Sequence, residues 1–112
     1  MVLTHKHRLV TYGTLAPGRV NHHQLADLKG TWQKGTVVGR LLDKGWGAVH
    51  GCRGIILDPS GEKVEVHIFE SVDLPSHWSR LDEFEGEGYK RSIVEVLTQN
   101  GQVSGSIYEL TD

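Results

Sequence analysis

Short β-rich runs, each closed by a glycine or a turn signal, recur along nearly the whole chain, and this punctuation limits the fold more than any other feature. The runs are residues 8–12, 36–42, 54–57, 64–69, 92–98 and 103–110. Asp58-Pro59-Ser60-Gly61 between the third and fourth predicts a tight hairpin, and Asn100-Gly101 between the fifth and sixth is a strong hairpin signal. Two segments read as helical instead. Residues 21–28 have Asn21 as N-cap, Leu25 and Leu28 three apart, and Gly30 just beyond the end. Residues 73–86 have Asp73 as cap, Pro75 near the first turn and Gly86 as the stop. About six strands and two helices predict an α+β fold with a largely antiparallel sheet that can curl into a barrel.

The 112 residues suit a single domain, 1–112, with residues 1–7 as a flexible tail carrying His5 and His7. Twelve basic and fourteen acidic residues are interspersed, giving a formal charge of -2. No basic field is present to hold nucleic acid or an anionic membrane, so neither is expected as a partner. No stretch approaches the roughly 18 apolar residues of a membrane span, and the N-terminus lacks the apolar run of a signal peptide. Cys52 is the only cysteine, which excludes an intrachain disulfide and points to a reducing, cytoplasmic setting. The seven histidines form neither an HExxH pattern nor a finger spacing, so no metal is expected. Nothing in the sequence speaks to oligomeric state.

Candidate chemistry is concentrated in the second helical segment. At about 100° per residue, Leu74, Trp78 and Leu81 share one stripe, and Glu85 falls within it, whereas Glu83 points away and Asp82 lies toward the edge. A carboxyl on an apolar face costs several kcal/mol to ionise unless it is satisfied, so it holds its proton to higher pH. Glu83 and Glu87 nearby would add to that effect, poising Glu85 to act as both base and acid. Periodicity leaves a second reading open, in which the helix has frayed by residue 84 and Asp82, Glu83, Glu85 and Glu87 form a solvated acidic turn.

The loop after the first strand carries a further signal. Gly13-Thr14-Leu15-Ala16-Pro17-Gly18 has the glycine spacing of a phosphate-binding loop, but Arg19 and Val20 stand where Lys and Ser or Thr are required. Nucleotide hydrolysis is therefore not expected, while a cradle of backbone N–H groups for a carboxylate or an oxyanion remains, as does a plain tight turn.

Tyr12-Gly13-Thr14-Leu15 with Pro17-Gly18, and Leu81-Asp82-Glu83-Phe84-Glu85-Gly86 with Tyr89 and Arg91, together resemble the gamma-glutamyl cyclotransferase-like superfamily, of the gamma-glutamylamine cyclotransferase or AIG2-like type, over roughly residues 8–110. The resemblance implies a small mixed β-barrel flanked by short helices. It also implies a cofactor-independent enzyme that cyclises a gamma-glutamyl group to 5-oxoproline and releases an amine or amino acid. Glu85 would match the catalytic glutamate, and Tyr12, Gly13, Thr14 and Leu15 would bind the glutamyl part, chiefly through backbone groups. Tyr89 and Trp46 are the further candidates for lining the substrate site. Val66 and Trp46-Gly47 stand where many members have glycine and a Tyr-Pro pair, so the leaving amine stays open. A non-catalytic small-molecule-binding or regulatory domain of the same fold is the alternative. Arg91, Cys52, His22, His23, His67, Trp32 and Trp78 read more simply as structural or surface residues.

Overall fold

A computed structural model describes residues 3–12, 25, 28–42 and 54–111. The expected helix over 21–28 falls mostly outside these residues, as do Gly13, Thr14, Leu15, Trp46 and Cys52. Six strands form one sheet: β1 (Arg8–Thr11), β2 (Thr31–Leu42), β3 (Gly54–Leu57), β4 (Glu62–Glu70), β5 (Tyr89–Thr98) and β6 (Gly101–Leu110). Their order is β3-β2-β4-β1-β6-β5, and a further β2–β5 pairing joins the ends. Five strands thus close into a mixed barrel, with β3 as a further strand paired along β2. β1 and β6 run parallel, and the other pairings are antiparallel.

The period-2 pattern explains the closure. Val10 of β1, Val37 of β2, Val64, Val66 and Ile68 of β4, Val94 and Val96 of β5 and Ile107 of β6 point inward and form one core with Ile55. Each such side chain contributes roughly 1.5–3 kcal/mol by leaving water. Glycine fits the barrel where strands crowd: a Cβ on Gly35 would lie 2.5 Å from Val96 Cγ1. The opposite parity of β1, β4 and β6 turns Leu9, Phe69 and Tyr108 outward, where they form a second core with Leu74, Trp78 and Leu81. The helical segment therefore lies against the outside of the barrel.

Several elements depart from the sequence-based expectations. β2 begins at Thr31, five residues before the predicted start at 36, because β4 supplies partners along its whole length, from Thr31↔Glu70 to Gly39↔Glu62. Asp58-Pro59-Ser60-Gly61 is a turn, with Asp58 Oδ1 accepting from Ser60 N at 2.9 Å, but it does not make a hairpin. β3 and β4 pair on opposite sides of β2, at Gly39↔Leu57 and Gly39↔Glu62, so the turn straddles β2 at Gly39. The segment expected as one helix from Asp73 begins as a 3-10 turn, Leu74–Ser76, and becomes α-helix α1 only over Trp78–Glu85. Pro75 disfavours helical geometry at Leu74, and the Asp73 side chain makes no cap bond. Its Oδ2 instead accepts from Lys29 N at 3.2 Å.

Residues 5–7 of the expected tail are tied down as well. His5–His7 form a 3-10 turn, Ser106 Oγ donates to His5 O at 2.8 Å, and Trp78 Nε1 donates to Lys6 O at 2.9 Å. Beside it Arg8 Nε donates to Glu70 Oε2 at 2.8 Å, and Arg8 Nη1 donates to Ser104 O at 3.0 Å, stitching β4, β1 and β6 together. Asn100 does lie in a tight hairpin. Thr98 pairs with Gly101, whose φ of 111° only glycine adopts readily.

Candidate functional site

Helix α1 is eight residues long and is anchored by two side chains on one face. Trp78 and Leu81 are buried against Leu9, Phe69 and Tyr108 of the barrel. One turn beyond Leu81 the same stripe brings Glu85 to the last helical position, where it is half-buried, while Glu83 on the far side is exposed. Gly86 then stops the helix at φ 82°, its N–H still donating to Asp82 O at 3.0 Å. The acidic segment is helical through residue 85, so the frayed, solvated alternative does not describe it.

Burial raises the Glu85 carboxyl from its ordinary 4.5 to about 7. Burial is the cause; Glu83 and Glu87, expected as contributors, are both exposed. At neutral pH Glu85 is thus divided between its two forms, which suits a group that takes a proton and later returns it.

Tyr12 and Tyr89 belong to the same neighbourhood. The Tyr12 phenol is held well above its ordinary range, first by burial, against a lowering hydrogen bond from Ile55 N, and then by the charges of Tyr89, Glu85 and Glu109. Its hydroxyl donates to Tyr108 O at 2.6 Å and accepts from Ile55 N at 3.2 Å, so both roles go to backbone groups. Tyr89, at the start of β5, packs against the outer core beside α1. Of the seven sequence-predicted candidates, Glu85, Tyr12 and Tyr89 are among the described residues, with Tyr12 feeling the charges of the other two, and Gly13, Thr14, Leu15 and Trp46 lie outside them.

Glu109 was missed. It is half-buried on β6, two residues after the inward-facing Ile107, and its Oε1 accepts from Leu57 N at 3.2 Å. The signal was available: Val103, Gly105, Ile107 and Glu109 alternate on one face, and a lone acid there is as telling as Glu85 on its apolar stripe.

On the outer side of the helix end, an open groove of about 540 Å³ is lined by residues that include Tyr89, Tyr108, Asp82, Gly86, Lys90 and Arg91, but not Glu85. Here the Tyr108 hydroxyl donates to Asp82 Oδ1 at 2.6 Å. Burial, together with that bond and the Asp82 charge, holds the phenol far above its ordinary range. Arg91 Nη1 lies 3.4 Å from Asp82 Oδ1, and its guanidinium carbon sits 4.6 Å from the Trp78 ring centroid. Arg91 and Trp78 are thus structural members of the helix–barrel joint. Trp32 packs on Phe69 with ring centroids 4.9 Å apart. Among the described residues, no three or more His, Cys, Asp or Glu side chains gather as a metal site, and no helix is long and apolar enough to cross a membrane.

The fold and this helix define a class, that of small mixed barrels with a carboxyl-bearing helix packed against the outside. Residues 9–112 match the gamma-glutamyl cyclotransferase, AIG2-like family, and the chain belongs to it. Among solved structures, YkqA from Bacillus subtilis is similar with a TM-score of 0.72 and 27% identity over 93% of this chain, which spans only 35% of YkqA. An AIG2-like protein from Mus musculus has a TM-score of 0.73 and 23% identity, covering 93% of this chain and 76% of that one. A gamma-glutamyl cyclotransferase has a TM-score of 0.63 and 18% identity, covering 94% and 66%. The last two likenesses concern the fold. No curated protein matches the chain.

Proposed function

We propose that this protein is a cofactor-independent gamma-glutamyl cyclotransferase, acting on gamma-glutamylamines, with Glu85 as its general acid and base. The observation that carries the reading is the half-buried carboxyl at the end of α1, raised to about 7 and within electrostatic reach of Tyr12. Family membership over residues 9–112 supplies the reaction class, and the lone cysteine suits a cytoplasmic setting.

In this reading the substrate's neutral α-amino nitrogen attacks its own γ-carbonyl carbon, forming the C–N bond of the ring. The attacking nitrogen's proton passes to the Glu85 carboxylate. Collapse of the tetrahedral oxyanion breaks the bond to the leaving nitrogen, to which Glu85 returns the proton, so 5-oxoproline and a free amine result. Backbone N–H groups of Gly13, Thr14 and Leu15 hold the α-carboxylate or the oxyanion, and Trp46 and Tyr89 line the substrate. Because attack is intramolecular, folding the substrate into a reactive conformation supplies much of the rate, and the shuttle adds roughly 10²–10⁴-fold.

The test is to incubate the protein with a panel of gamma-glutamylamines and gamma-glutamyl amino acids, following 5-oxoproline by mass spectrometry beside Glu85→Gln. Release by wild type that is lost in the variant, with fold and ligand binding kept, supports the assignment. Ligand binding without turnover across the panel would make the protein a binding domain of this fold. Equal activity in Glu85→Gln would remove Glu85 from the mechanism.

A further inference from the structure

Strand β3 is held along its two edges by different means. Toward β2 it has a backbone ladder, Gly39↔Leu57 to Leu42↔Gly54. On its other edge the N–H groups of Ile55 and Leu57 donate to side chains, the Tyr12 hydroxyl and Glu109 Oε1, each at 3.2 Å. The Tyr12 hydroxyl passes the link on by donating to Tyr108 O at 2.6 Å. A strand of four residues has little stability of its own, yet Ile55 is fully buried in the barrel core.

The location gives these bonds their importance. β5 meets β2 at the single pair Thr36↔Leu97 among the described residues, and farther along the same edge of β2 the partner is β3. The part of the ring beyond the β2–β5 seam is therefore bounded by a strand fixed through side chains. It is where Tyr12 feels the charges of Glu85, Tyr89 and Glu109.

The geometry points to Tyr12 and Glu109 as a pair of positioning residues, a side-chain clamp that fixes β3 as one wall of the site. The clamp commits the Tyr12 hydroxyl to backbone groups instead of substrate. This inference rests on the Glu85 end of the barrel being the active site. Glu109 serves in it as a hydrogen-bond acceptor, so glutamine can replace it and alanine cannot, and Tyr12→Phe keeps the ring but loses both bonds.

Amide hydrogen exchange read residue by residue, together with kcat and KM for 5-oxoproline release, tests this in wild type, Tyr12→Phe, Glu109→Gln and Glu109→Ala. The expected result is that Tyr12→Phe speeds exchange at Ile55, and Glu109→Ala at Leu57, by tenfold or more, with Ile68 in the central barrel unchanged. Both variants lose fivefold or more in kcat, while Glu109→Gln stays within twofold of wild type in exchange and turnover. Unchanged exchange at Ile55 in Tyr12→Phe overturns the clamp. So does a Glu109→Gln variant as impaired as Glu109→Ala, since Glu109 would then act through its charge. A wild-type protein with no turnover defeats the cyclotransferase reading alone, because the exchange measurements still decide the clamp.

Discussion

Replacing Glu85 with glutamine should abolish turnover and at the same time stabilise the protein, by an amount that depends on pH. In the unfolded chain the carboxyl ionises near its ordinary 4.5, whereas in the native barrel it ionises near 7. Between these values the native state binds more protons than the unfolded state, so stability falls as pH rises. The contribution is intact below about pH 4.5 and fully lost above about pH 7. The interval between 4.5 and about 7, at about 1.4 kcal/mol per pH unit, gives an upper figure of about 3 kcal/mol. Solvent at the half-exposed carboxyl reduces this to about 2 kcal/mol. Glutamine matches the shape of the protonated form and cannot ionise, so Glu85→Gln escapes the cost. For a chain of 112 residues, about 2 kcal/mol corresponds to a Tm higher by about 8 °C. Urea or thermal unfolding followed by far-UV circular dichroism at pH 5 and pH 9 reads the effect: near-equal stability at pH 5, and a more stable variant at pH 9. A difference that does not change with pH, or a wild type more stable at pH 9, would refute the assignment of a buried, ionisation-resisting carboxyl at residue 85.

Other consequences are open to simpler measurement. The pH profile of kcat/KM should rise through about 7 as Glu85 in the free enzyme becomes a base, and a profile flat from pH 5 to 8 would contradict this. Leu81→Ala empties a fully buried position under α1 and should cost about 2–5 kcal/mol in urea unfolding. Gly35→Ala forces a methyl group to within 2.5 Å of Val96 Cγ1 inside the barrel and should cost about 1–3 kcal/mol. Tyr108→Phe removes the bond to the exposed Asp82 and should cost only about 0.5–1.5 kcal/mol, with Asp82 rehydrated and turnover retained.

What the sequence revealed follows from the kind of interaction that fixes each element. Local periodicity was enough for Glu85, because Trp78 and Leu81 bury one face of α1 whatever the rest of the chain does. It was enough for the β5–β6 hairpin, where turn and strands are adjacent in sequence. It failed for Thr31-Trp32-Gln33-Lys34-Gly35, which has no strand signal of its own and is extended because β4 pairs with it. It failed again at Asp58-Pro59-Ser60-Gly61, since turn chemistry cannot show that a third strand passes between the two it joins. The Glu109–Leu57 and Tyr12–Ile55 bonds join residues 52 and 43 apart in the chain, and no local pattern encodes such partners. In the site, the helix-borne carboxyl was legible and the clamp was not.

The position of β1 between β4 and β6 bears on how the molecule is made. β1 leaves the ribosome first of the six strands and β6 last, yet Leu9 pairs with Ser106 and Val10 with Ile107. The growing chain can assemble β1, β2, β3 and β4 while one edge of β1 stays without its partner until the final strand arrives. For that interval an apolar edge is open to a neighbouring nascent chain. Contacts of such long sequence separation also slow closure, so barrel completion and the arrangement of Tyr12, Glu85 and Glu109 are late events, dependent on release of the last strand.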